Sequence, residues 1–104
     1  MSVYLDIMCE RARQIAVEGW TLAHDDEHDR GEMALAAACY ASPKRVFIAD
    51  KIVGRGYEEF TRYIDAWPWP DEWWKPKDRR RDLIRAAALI VAEIERLDRA
   101  AKSP

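Results

Sequence analysis

Two histidines, His24 and His28, stand four residues apart inside the run His24-Asp25-Asp26-Glu27-His28-Asp29. On a helix that spacing puts both imidazoles on one face with carboxylates beside them, which is how a divalent metal is gripped. The run is close to HExxH, but Asp25 stands where the general-base glutamate would, one methylene shorter. The segment falls between two helices, so the i,i+4 geometry is not assured. The preferred reading is a structural acidic loop, holding no metal, that leads into the second helix and complements its dipole.

A second constellation is Trp73-Trp74-Lys75-Pro76-Lys77-Asp78-Arg79-Arg80-Arg81. Three arginines in the first turn of a helix oppose the positive end of its dipole, so each is expected to add little to stability, or to subtract from it. A helix start with free N–H groups, surplus Arg and neighbouring indoles suits a phosphate attached to a base. The plainer reading is a solvated charge run whose Arg stems cover the tryptophans. Five Trp occur in the chain, and Trp67, Trp69, Trp73 and Trp74 fall within eight positions. Two or three of them suffice to roof a small core. The candidate ligand-binding residues are therefore Trp20, Trp69, Trp73, Arg79, Arg80 and Arg81.

The carboxylates give a third set. Glu32, Asp82, Glu95 and Asp98 invite comparison with the all-α nucleoside triphosphate pyrophosphohydrolases of the MazG type, whose acidic pairs one turn apart hold magnesium. The chain resembles that family in architecture, while its ligand set falls short. Glu32 has Leu35 and Ala36 where an acidic partner would stand, and Glu95-x-x-Asp98 lies near the end of the last helix. A magnesium enzyme is the alternative; a binding protein without catalytic residues or cofactor is the expectation.

The elements that must position these groups are helical. A first helix is expected from about Tyr4 to Glu18, with Leu5, Met8, Ala12 and Ile15 inward and Gly19 as its stop. A second begins after Asp29, whose Asp29-x-x-Glu32 has the form of a capping box, and runs from Glu32 to Ala41 before Pro43. The third starts behind Asp78 as N-cap. Its Leu83, Ala87, Ile90, Ile94 and Leu97 repeat at spacings of 4, 3, 4 and 3. A second stripe of Ile84, Ala88 and Val91 lies beside them, which places the helix at the centre of the fold with Arg85, Glu93, Arg96 and Arg99 outward. Between the second and third helices, Arg45 to Ile48 reads as a short strand or extended arm. Gly54-Arg55-Gly56 reads as a break, and Tyr57 to Ala66 as a short amphipathic helix with Phe60, Tyr63 and Ile64 inward. Trp67-Pro68-Trp69-Pro70 must be extended. The expected fold is a single all-α domain over residues 1–104, a three- to four-helix bundle crossed by an aromatic, proline-rich segment.

Composition excludes several classes. With 17 basic and 19 acidic residues among 104, the net charge is −2, which argues against duplex nucleic acid as partner. No apolar run approaches the ~20 residues of a membrane span. No secretory leader is visible at Met1-Ser2-Val3-Tyr4, and Cys9 and Cys39 read as two buried thiols of a cytoplasmic protein. A last helix apolar on two stripes, with an Ala-rich neighbour, points to a homo-oligomer.

The residues Glu10-Arg11-Ala12-Arg13-Gln14-Ile15, Glu18-Gly19-Trp20-Thr21, His24-Asp25-Asp26 and Gly31-Glu32 form half of a pattern. Trp67-Pro68-Trp69, Trp73-Trp74-Lys75-Pro76, Arg80-Arg81-Asp82-Leu83 and Ala92 to Arg99 form the other half. Together they resemble a family of short helical proteins carried by bacteriophages and prophages. The first half is also similar to the RyR repeat, through Gly19-Trp20-Thr21 and Asp25-Asp26, although that repeat's Tyr-Gly and His-Pro elements are missing. These resemblances imply a nucleotide-derived small molecule as partner and a place in the host cytoplasm. Combined with the Trp/Arg segment, they suggest an anti-defence sponge that sequesters an immune signal such as a cyclic oligonucleotide or an ADP-ribose derivative. An inhibitor that binds a host protein through the same aromatics is a further alternative.

Overall fold

The computed structural model describes residues 2–42, 46–50, 56–60 and 67–102. Among the described residues, four α-helices make up an all-α bundle: α1 (Val3–Ala16), α2 (Leu22–Asp26), α3 (Glu32–Ala41) and α4 (Arg79–Lys102). A short antiparallel pair, β1 (Val46–Asp50) and β2 (Gly56–Phe60), joins Val46 to Phe60 and Asp50 to Gly56 in register. The strand reading of Val46–Ile48 therefore stands. The helix expected from Tyr57 does not, because 57–60 pair as strand; its remainder, with Tyr63 and Ile64, lies outside the described residues.

Local signals account for the helix ends. Ser2 caps α1 by accepting from Leu5 N–H at 3.3 Å. Gly19, at φ +75°, turns the chain so that Trp20 N–H reaches back to the Gln14 carbonyl at 2.9 Å. This left-handed exit favours glycine. Thr21 then caps α2 through His24 N–H at 3.2 Å, so the supposed acidic loop is partly a one-turn helix. The expected Asp29 box does not form. Gly31, at φ +85°, occupies the cap of α3, and the Glu32 carboxylate reaches back to Arg30 N–H at 2.6 Å. Asp78 caps α4 as expected, accepting from Arg81 N–H at 2.9 Å.

The apolar core lies between α3 and α4. Met33, Ala36, Ala37 and Tyr40 meet Ala86, Leu89 and Ala92, and the alanines let the two helices approach closely. Trp20, Trp67, Trp69 and Trp74 pack over this core, so the Trp-Pro segment crosses the bundle as its roof.

The α1–α4 contact is polar, which turns outward the stripe expected inside on α1 and the first stripe of α4, while the second stripe keeps Ile84 and Ala88 buried and leaves Val91 exposed. α1 buries Glu10, Arg11 and Gln14 and turns outward the stripe expected inside, with Leu5 58% and Met8 68% exposed. In α4 the buried face is Ile84, Arg85, Ala88, Leu89 and Ala92, while Leu83, Ile90, Ile94 and Leu97 face out. Arg85, expected in solvent, is buried with its guanidinium donating to the Lys75 carbonyl. Periodicity fixed the spacing of these stripes but could not say which of two faces is covered, because ion pairs hold the other one. Glu10, 1% exposed, accepts two hydrogen bonds from Arg13 at 2.8 and 2.9 Å and one from Arg81 at 2.5 Å. Burial, the largest single influence, raises the Glu10 carboxyl; Arg13, Arg81 and Arg85 together outweigh it and hold it below the ordinary value. Cys39 is buried as expected, but Cys9 is exposed. No described helix is long and apolar enough to cross a membrane.

Candidate ligand-binding site

Between the α1–α2 turn and the Trp-Pro roof lies an open pocket of about 300 Å³. Its walls are Trp20, His24, His28, Trp69, Pro70 and Trp73, with the Glu18 carboxylate at the edge. Each wall is set by a local device already in the sequence. The Gly19 turn aims Trp20, and the Thr21 cap starts the helical turn that presents His24. That turn is pinned from beneath by the buried pair Arg11–Asp25 at 2.6 Å, in which Asp25 is fully buried. Arg99 grips the neighbouring Asp26 at 2.7 Å. On the other side, Trp67 Nε1 donates to the Pro70 carbonyl at 3.2 Å and closes the Trp-Pro turn that carries Trp69. The Tyr40 hydroxyl bridges Trp73 and Lys75, donating to the carbonyl of one at 3.4 Å and accepting from the N–H of the other at 3.2 Å.

The aromatic groups form two sets that meet at the edge-on pair Trp67–Trp69, centroids 5.5 Å apart. Tyr40, Trp67 and Trp74 interlock with centroids 4.7–5.5 Å apart and belong to the roof of the core. Trp20, Trp69, His24 and His28 line the pocket, with Trp20 lying 5.6 Å from Trp69 and His28 5.3 Å from Trp69. Trp73 completes the wall at 38% exposure. Trp69 Nε1 is buried and has no hydrogen-bond partner among the described residues.

The polar rim is anionic and imidazole in character. His24 and His28 face one another through their Nε2 atoms at 3.3 Å, and His28 Nδ1 stands 3.1 Å from Glu32. A consistent proton arrangement has His28 Nδ1–H donate to Glu32 and His24 Nε2–H donate to His28. Glu18 is held by Arg13 at 2.9 Å and Lys75 at 3.4 Å. Burial pushes its carboxyl up, but those two cations prevail and keep it below the usual carboxylate range. Lys75 Nζ also lies 5.5 Å from the Trp73 ring centre and is the cation at the pocket's edge.

Of the six residues read as ligand-binding, the structure gathers Trp20, Trp69 and Trp73 and leaves the arginines elsewhere. Arg79 donates to the Ala41 carbonyl, Arg80 pairs with Asp6 at 2.6 Å and Arg81 pairs with Glu10. They fasten the start of α4 to α1 and α3, and these carboxylates offset the cost of opposing the helix dipole. The magnesium set is not gathered either. Glu32 serves His28 and Arg30, Asp82 accepts from Lys77 N–H at 2.7 Å, Glu95 pairs with Arg11, and Asp98 is exposed on α4. Among the described residues, no three His, Cys, Asp or Glu side chains converge where a metal ion could sit. Sequence reasoning missed Glu18 and Lys75 and saw His24 and His28 only as metal ligands or loop. The available signal was position: Glu18 directly precedes the Gly19-Trp20-Thr21 turn, and Lys75 directly follows Trp73-Trp74. Compared with family profiles, curated proteins and solved structures, the chain matches none.

Proposed function

We propose that this chain is a non-catalytic binding protein that takes a nucleotide-derived small molecule by its base. In the setting implied by the phage resemblance it is an anti-defence sponge, and its ligand is a cyclic oligonucleotide or ADP-ribose derivative. One observation carries the reading: three indoles and two imidazoles wall an open pocket of about 300 Å³ directly beside a core that buries its other rings. That volume is at the lower end for small-molecule sites, which span about 300–1,000 Å³. It accommodates a base and part of a sugar and leaves phosphates at the rim.

The pocket supplies what a base needs. Indole faces offer stacking, and the Glu18 carboxylate accepts from a ring or exocyclic N–H. Lys75, which also pairs with Glu18 at 3.4 Å, supplies a cation for a phosphate at the edge, while Arg79, Arg80 and Arg81 do not line the pocket. The test is calorimetric titration with ADP-ribose, cyclic dinucleotides and nucleoside triphosphates, each with and without magnesium, followed by heating and chromatography. The reading expects saturable binding and recovery of the intact compound. Magnesium-dependent product would select the pyrophosphohydrolase instead. Absence of binding across the panel would favour the host-protein inhibitor.

A further inference from the structure

α4 carries two apolar faces, and the bundle uses one of them. Leu83, Ala87, Ile90, Ile94 and Leu97 fall within about 80° of arc at 100° per residue, diametrically opposite the buried face. Ile90, Ile94 and Leu97 are each about half exposed and Leu83 scarcely less. Their 4-3-4-3 spacing is the heptad seam by which one helix packs along another over about 21 Å. A helix needing only the bundle would be polar on this side.

We infer that this outer seam of α4 pairs with the same seam of a second copy, the two helices running antiparallel. Charge selects the occupant and its direction. Arg79 and Arg80 flank the N-terminal end of the seam, while Glu93 and Asp98 flank its C-terminal end. A parallel partner sets Arg79 and Arg80 against their own counterparts. An antiparallel partner, with Leu83 over Ile94 of the second copy, brings Arg80, which also pairs with Asp6 of its own chain, to the flank that carries Asp98. In that register Ala87 faces Ile90 of the second copy, so a small side chain meets a large one on both sides of the two-fold axis, and the last turn of each helix extends past the contact. Self-pairing is isologous and closes, so one seam yields a dimer. None of the seam residues lines the pocket.

Sedimentation of the full chain tests association, and disulfide trapping tests direction. The wild type should sediment as a dimer at high micromolar concentration. Ile90→Glu should give a monomer, with dimer dissociation raised roughly a hundredfold because symmetry buries the new carboxylate twice. Circular dichroism checks that this exposed position leaves the fold intact. In a Cys9→Ser background, a mixture of Leu83→Cys and Ile94→Cys chains should form a disulfide-linked dimer under mild oxidation, while either variant alone should not. A monomeric wild type would overturn the proposal outright. A dimer that Ile90→Glu leaves unchanged would show that another surface is used, and cross-linking of Leu83→Cys alone would show a parallel pair.

Discussion

Trp73 and Asp25 illustrate two kinds of residue in this protein, one spent on the pocket and one on holding its wall. Trp73 is partly exposed and closes the pocket without entering the α3–α4 core. Trp73→Ala should therefore leave the melting temperature within about 2 °C, as surface changes do. It should weaken a nucleotide ligand by about 1–3 kcal/mol, the worth of one base–indole stack. Asp25 is buried against Arg11, and the same guanidinium also serves Glu95. Asp25→Ala leaves a cation buried without its closest partner and should cost about 3–5 kcal/mol, read by urea denaturation. His24→Ala with His28→Ala separates the roles again. Both side chains sit at the rim, so the fold should persist while base binding declines. A stoichiometric metal present after purification and lost in this double variant would contradict the assignment of the pair to the pocket.

At the scale of elements, the contact between α1 and the start of α4 is an ion-pair seam rather than an apolar one. Glu10 receives both Arg13 and Arg81, and Asp6 receives Arg80. The expectation from the dipole alone was that these arginines add nothing to stability. With their partners in place, Arg80→Gln and Arg81→Gln together should lower stability by about 1–2 kcal/mol, a discounted value because Arg80 is exposed. For a chain of this length that corresponds to a melting temperature roughly 4–16 °C lower. The acid dependence follows from the carboxylates. Glu10, Glu18 and Glu32 all lie below the ordinary value of 4.5 in the folded protein. Groups depressed on folding contribute stability that is complete above the unfolded value and is lost as pH falls through the folded one. Stability should thus be flat above about pH 5 and fall steadily below pH 4.5. In Arg81→Gln the fall should be shallower, since one of the cations that depress Glu10 is gone; an unchanged slope in denaturation midpoints against pH would contradict this.

For the whole molecule, the helical architecture was legible because spacing, caps and breakers agree along most of the chain. Gly19 and Asp78 mark the helix ends expected of them, and the 4-3-4-3 repeat falls within the last helix. What was not legible is which side faces in. Leu5, Met8, Leu83, Ile90 and Ile94 have core spacing, yet Glu10, Arg11, Gln14 and Arg85 are buried in their place, and no periodicity count weighs a network of charged hydrogen bonds against apolar area. The site was half legible for a related reason. The three tryptophans could be named from composition, but Lys75 and Glu18 are 57 residues apart in sequence and meet only when the roof closes. The most direct measurement is a calorimetric titration of ADP-ribose and a cyclic dinucleotide into wild type and Trp73→Ala. The account predicts saturable wild-type binding of at least one of them, weakened about 5–150-fold in the variant, with the compound recovered intact on heating. Equal affinity in both proteins, or no binding to either, would contradict a base-binding pocket at Trp20, Trp69 and Trp73.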